Sequence, residues 1–307
     1  MQLVIGYVTH GDFDSVADLC PDVAGTRSRR KEEWDELWTA GNPFGVLVRD
    51  LNADRSQQDV AVLLGAYVQD HVIDDIVKVG TPNANRRILA LRNSKRNPFV
   101  SPTDVGFANS GLGLNLVFTH LGWRENSSVE GSPTLLRGAA CNGFLDRLSG
   151  NRHKTVLAFA QTAEHSRIYR KIGFEPLKIT SGESRVDWFG ISRDAALDHE
   201  NPWMTRLFSY NPPRFRFTEN QRQILLLARE GLTDNEIAET VGSRADAIKK
   251  RWAGIYDRVN DVLPTLLPPS TSSGRGSEKR RALLAHLRDR PEELRPFSRV
   301  TGTSGRR

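Results

Sequence analysis

Between Leu232 and Trp252 the chain reads LTDNEIAETVGSRADAIKKRW, and its densest chemistry is cationic. Arg244, Lys249, Lys250 and Arg251 crowd into this stretch beside Thr233, Asn235 and Asp246. Ammonium and guanidinium groups at this density suit a polyanion, because each neutralised phosphate releases condensed counterions. Asp246 has two possible uses, accepting a hydrogen bond from a cytosine amino group or capping its helix; its place in the first turn favours the cap. Other reactive types are scattered. His10, His71, His120, His153 and His165 show no metal-ligand spacing. Cys20 and Cys141 stand far apart without neighbouring ligands, as two buried small hydrophobes would. GLGL at 111–114 precedes a strand rather than a helix, so it is not a convincing phosphate loop.

The cations need a scaffold, and the flanking sequence supplies one. A hydroxyl residue followed three positions later by an acceptor side chain marks a helix start, since the pair satisfies the first free amides. Thr218 with Gln221, Thr233 with Glu236 and Ser243 with Asp246 have this spacing. Gly231 and Gly242 follow the first two helices, where glycine takes the left-handed conformation at no side-chain cost. Ile224, Leu225, Leu227 and Ala228 line the first helix, Ile237, Ala238 and Val241 the second, and Ile248, Trp252, Ile255 and Val259 the third. Burying that last set turns Ala245, Asp246, Lys249, Lys250 and Ala253 outward. A short helix, a tight turn and a longer helix make a helix-turn-helix, whose last helix enters the major groove.

The stretch FTENQRQILLLAREGLTDNEIAETVGSRADAIKKRWAGIYDRV resembles the DNA-binding domain of LuxR-type regulators. EGLTDNEIA matches that family's second helix, and Ala247, Ile248, Lys249, Lys250 and Arg251 take the places of its TVKNH pattern. The resemblance implies that Lys249 and Lys250 reach bases or phosphates, that Arg251 sits at the backbone, and that Thr233 and Asn235 touch phosphate. Arg244, at the mouth of the third helix, joins the expected DNA-binding set. Pro264, Pro268 and Pro269 interrupt the chain where the family's fourth helix would follow directly.

Before this region, strand-like and helix-like segments alternate. LVIGYVT, FGVLVRDL, GLNLVFTHLG, TVLAFAQ and RVDWFGIS read as strands; DFDSVADLC, SRRKEEWDELW, PTLLRGAACNGFLDRL and AEHSRIYRKIG read as helices. DVAVLLGAYVQDHVIDDIVKV reads as two or three strands with a bulge at Gly65, and TPNANRRILALRNSKRNPFVSPTD as a loop. This order, with TAEHSRIYRKIGFEPL, resembles the GNAT acyltransferase superfamily. The resemblance implies a GNAT-like α/β mixed sheet, an acyl-CoA ligand held at the helix start near Gly131 and Ser132, and Tyr169 as the phenol that protonates the departing thiolate. The family's phosphate-binding turn is absent from GWRENSSVEGSPTLLRGAACNG, so no cofactor is demanded, acetyl-CoA or another acyl-CoA being the candidate.

The bulk numbers bound the rest. At 307 residues, 38% hydrophobic and 26% charged, the chain has room for about two globular domains and contains no run suited to a membrane span. No secretory signal opens it, so the cytoplasm is the expected compartment. The net charge of +6 equals the excess of ten Lys or Arg over four Asp or Glu after Ser270, which gives a basic tail suited to nucleic acid or merely solvated. The expected domains are residues 1–195, GNAT-like α/β; 196–214, a linker; 215–263, an all-α helix-turn-helix; and 264–307, a Pro/Ser/Gly linker with a basic helix whose Leu283, Leu284 and Leu287 share one side. The expected function is a transcriptional regulator, a homodimer on double-stranded DNA controlled through its first domain. The alternative is an active N-acyltransferase carried to DNA or protein by the helical module.

Overall fold

The computed structural model describes residues 2–19, 27–41, 43–80, 84–92, 96–124, 132–179, 187–269 and 275–298. Two compact units divide the chain, Met1–Ser209 and Tyr210–Arg307.

The first unit runs β1 (Leu3–Tyr7), α1 (Phe13–Leu19), α2 (Arg27–Ala40), β2 (Phe44–Asp50), β3 (Asp59–Val68), α3 (Asp70–Val79), α4 (Ala84–Arg92), α5 (Pro102–Ser110), β4 (Leu114–Trp123), α6 (Ser132–Leu148), β5 (His153–Ala160), α7 (Ala163–Ile172), β6 (Glu175–Pro176), β7 (Asp187–Ser192), α8 (Arg193–Leu197) and α9 (Pro202–Phe208). Its seven described strands form one mixed sheet in the order β1-β2-β3-β4-β5-β7-β6. Among them only β4 and β5 are parallel, and α6 supplies the crossover between them that a parallel pair requires.

Alternation along the strands feeds two cores. Val46, Val48, Phe118, Val156 and Ala158 join Phe144 of α6, Tyr169 of α7 and Met204 of α9. Leu47, Val117 and Leu157, one residue out of phase, join Trp34 of α2, Ile76 of α3 and Ile88 of α4. Both faces are therefore covered, which explains strands that are apolar on each side.

Three expectations change here. QDHVIDDIVKV is helical: Asp70 stands in the first turn, Val72 and Ile76 are buried one turn apart, and Gly80 closes the helix at φ +61°. Within the expected loop, α4 buries Ile88 and Leu89, and Ser101 caps α5 by accepting from the Asp104 amide. The expected linker at 196–214 is also largely structured. Met204, Leu207 and Phe208 are fully buried, and His153 Nδ1 donates to the Leu207 carbonyl (2.8 Å) while Tyr67 donates to Nε2 (3.1 Å).

The second unit contains α10 (Glu219–Arg229), α11 (Asp234–Thr240), α12 (Ala245–Val262), α13 (Arg275–Asp289) and a 3-10 turn at Pro291–Leu294. Thr218 with Gln221 and Thr233 with Glu236 form reciprocal capping boxes as expected. Gly231 and Gly242 take φ +92° and +61°. The third expected cap is absent: Arg244 precedes α12 without a side-chain cap bond, and Asp246 instead lies 3.7 Å from Lys249. The tail differs from a solvated appendage. Leu267, Leu283, Leu287 and Leu294 are buried with Ile224, Ile237, Ile248 and Ile255 in one core. Glu293 is buried as well, and its carboxylate accepts from the amides of Arg214 (3.0 Å) and Phe215 (2.9 Å). Burial raises its pKa above the usual carboxylate value, against the lowering effect of those two bonds.

Candidate functional site

In the first unit the sheet opens at one point. Phe118 pairs with Gly65 while His120 pairs with Leu64, so Thr119 is an extra residue in β4. Such a bulge bends a strand and re-aims the side chain that follows it. Gly65 marks the place on β3 as expected, but the added residue belongs to β4. The register shift takes His120 out of the phase of Leu116 and Phe118 and sets it edge-on to Trp34 of α2, ring centres 5.1 Å apart. At the same point β4 leaves β5. Their pairing ends at Phe118 and Ala158, although β4 continues to Trp123 and β5 to Ala160.

His120 is 4% exposed. Nδ1 contacts the carbonyl of Thr119, which a neutral ring reaches by donating from that nitrogen. Nε2 is buried and has no hydrogen-bond partner among the described residues; it carries the lone pair in the tautomer whose Nδ1–H faces Thr119 and the proton in the tautomer whose Nδ1 accepts from Gln161. The Gln161 amide nitrogen lies 3.3 Å from Nδ1. Desolvation pushes the pKa of His120 down to about 4, opposed by the Thr119 bond and aided by His165 and Arg30. At neutral pH the ring carries no charge.

Helix α7 forms the next wall. Thr162 caps it by accepting from the His165 amide (3.2 Å). His165 sets its ring edge against Trp123 at 5.0 Å. Arg137 of α6 lies over that indole at 5.0 Å and pairs with Glu164. Tyr169 is 3% exposed, with its ring 5.7 Å from both Phe174 and Phe189. Burial raises its pKa, so the phenol stays protonated, as does the half-buried Cys141 thiol, pushed up to about 11. Gly131 lies outside the described residues, as does Cys20; Ser132 is the first residue of α6. No group of His, Cys, Asp or Glu among the described residues is arranged to hold a metal ion.

In the second unit Ile248, Trp252, Ile255 and Val259 are buried as the helical period requires. Arg244, Asp246, Lys249 and Lys250 are exposed and Arg251 is half-buried, so the first half of α12 presents cations outward. Thr233 and Asn235 are exposed at the start of α11, with the Thr233 hydroxyl held in its capping box. Nothing in the local pattern singled out Arg280 on α13. Its Nη1 donates to Asp234 (2.9 Å), its Nη2 to the Leu232 carbonyl (2.6 Å), and its guanidinium lies 5.0 Å from the centre of the Trp252 ring. Thr119 and His120 are adjacent polar residues inside an apolar strand, a pattern that does not by itself indicate a bulge.

No protein-family model matches the chain, and no curated protein matches it in sequence. Among solved structures, NAA60 of Arabidopsis thaliana with a bisubstrate analogue is 10% identical, with a TM-score of 0.39, over 62% of this chain and 98% of that one. An acetyltransferase from Thermus thermophilus is 16% identical, with a TM-score of 0.35, over 62% and 97%. Spermidine/spermine N-acetyltransferase SpeG of Vibrio cholerae is 9% identical, with a TM-score of 0.35, over 65% and 97%. Scores of this size are too low to transfer a function.

Proposed function

We propose that the first unit is an acyl-CoA-dependent N-acyltransferase and that the second brings it to double-stranded DNA. The acyltransferase alternative thus takes precedence over a regulator with an inert first domain. The observation that carries it is the coincidence, at Thr119, of the bulge in β4 and the parting of β4 from β5. Beyond that point β4 has, among the described residues, a free edge on its β5 side, and a strand edge binds an extended chain by its amides and carbonyls. The pantetheine arm of coenzyme A carries two amide groups and suits such an edge. Its thioester would then lie beside His120.

In the transfer, an acceptor amine forms the new C–N bond, the C–S bond breaks, and one proton passes from nitrogen toward the departing thiolate. His120 is the group proposed to receive the amine's hydrogen bond, in the tautomer that directs its Nδ1 proton to Thr119 and leaves the lone pair on the unpartnered Nε2. Ser132, the first residue of α6, is the proposed pyrophosphate end, with Gly131 assigned to it from the sequence alone. Tyr169 is assigned to packing, because Phe174 and Phe189 flank its ring. Calorimetric titration of the full chain with acetyl-CoA tests the assignment. Saturable binding at one site is expected; no heat and no thermal shift at millimolar ligand would end it.

The DNA half rests on a separate observation, the exposure of Lys249 and Lys250 at the front of α12 behind a capped α11. A homodimer on a two-fold site is the arrangement proposed, as for most proteins of this geometry. Fluorescence anisotropy on random duplex should show affinity that falls steeply with salt. Salt-insensitive binding, or none, removes this half and leaves the acyltransferase half intact.

A further inference from the structure

We infer that Arg280, on the C-terminal helix, is a positioning residue for the proposed DNA-reading helix, acting on α12 at Trp252 and through Asp234 of α11 rather than by touching nucleic acid. The inference rests on the DNA half of the proposed function. Three elements meet at this one guanidinium. Nη2 donates to the Leu232 carbonyl in the turn before α11, and Nη1 donates to Asp234 in the first turn of α11. The guanidinium also lies over the ring of Trp252, whose indole Nε1 donates to the same Oδ1 of Asp234 at 3.1 Å. Trp252 in turn stacks on Tyr256, ring centres 5.6 Å apart. Asp234 therefore receives one bond from α12 and one from α13, and the angle between α11 and α12 is fixed at their open end.

The side chains of Arg280 and Asp234 are 24% and 31% exposed, so the pair is shielded well beyond an ordinary surface ion pair. A planar fork that bonds two acceptors while lying over an indole is a task lysine cannot reproduce. The groups thus held lie close to Lys249 and Lys250, which precede Trp252 on α12. In this arrangement the basic tail serves by orienting α12, and its charge is secondary.

The test compares full-length wild type, Arg280→Ala, Arg280→Lys and Lys250→Ala on a duplex selected from a random pool by the wild type, across a salt series. Arg280→Ala should bind about tenfold more weakly with its salt slope unchanged, because a loosened supporting contact costs alignment. Lys250→Ala should lose about one unit of slope. Arg280→Lys should stay folded and bind nearly as weakly as the alanine variant, which keeps the test decisive if Arg280→Ala unfolds. Wild-type affinity in a folded Arg280→Lys or Arg280→Ala protein overturns the inference, as does a slope reduced by one, which would make Arg280 a direct phosphate contact. If the wild type selects no duplex at all, the DNA half itself falls, a result distinct from either.

Discussion

His120 shows what one misaligned residue can do. Its folded pKa of about 4 lies below the usual 6.5, so the unfolded chain binds more protons between those values. The stability this group contributes is present above pH 6.5 and is lost as pH falls through 4. His120→Phe keeps a ring against Trp34 and removes the titration. In urea melts the wild type should lose roughly 3 kcal/mol more than His120→Phe between neutral pH and pH 4. Equal losses would mean the imidazole is not held neutral. At Thr233, alanine removes the hydroxyl that accepts from the Glu236 amide, while the backbone half of the capping box remains, and should cost about 1 kcal/mol, measurable as a lowered melting midpoint. The cationic residues were legible at this scale because their types cluster in sequence. His120 and Arg280 were not, since the meaning of each comes from partners on other elements, Trp34 on α2 and Asp234 on α11.

Elements were readable where pattern and punctuation agreed. The starts of α10 and α11 followed from paired hydroxyl and acceptor residues, and Gly231 and Gly242 ended what they were expected to end. At Gly242 an added Cβ would meet no atom within 4 Å. Gly242→Ala should therefore cost only the strain of a left-handed alanine, roughly 1 kcal/mol. Gly113→Ala, at φ +99°, should cost more, because its Cβ would also stand 2.8 Å from the backbone carbonyl oxygen of Arg152. Comparison of the two melting curves checks the order. Helix α3 has the composition of a strand, because Val72, Ile73, Ile76, Val77 and Val79 are β-branched. The buried pair one turn apart outweighed it. The bulge at Thr119 depends on a register between β3 and β4 that no local pattern encodes.

At the scale of the molecule, the C-terminal helix and its expected leucine side do more than the charge of the tail suggests. Leu267, Leu283, Leu287 and Leu294 complete the core of the second unit, while the surrounding arginines had suggested a tail built for charge. A chain ending at Leu263 would lack all four. Each buried leucine carries about 2–5 kcal/mol, and a domain's whole stability is of order 5–15 kcal/mol. The truncated second unit should thus be digested rapidly by protease while the first survives; equal resistance would show that α13 is dispensable. No helix among the described residues is long and apolar enough to cross a membrane. The proposed acyl-CoA cleft can be tested most directly by amide hydrogen exchange with and without acetyl-CoA. Bound ligand should slow exchange in Thr119–Trp123, along the edge that β5 leaves free. Binding with no change in those amides, or protection confined to other strands, would contradict it.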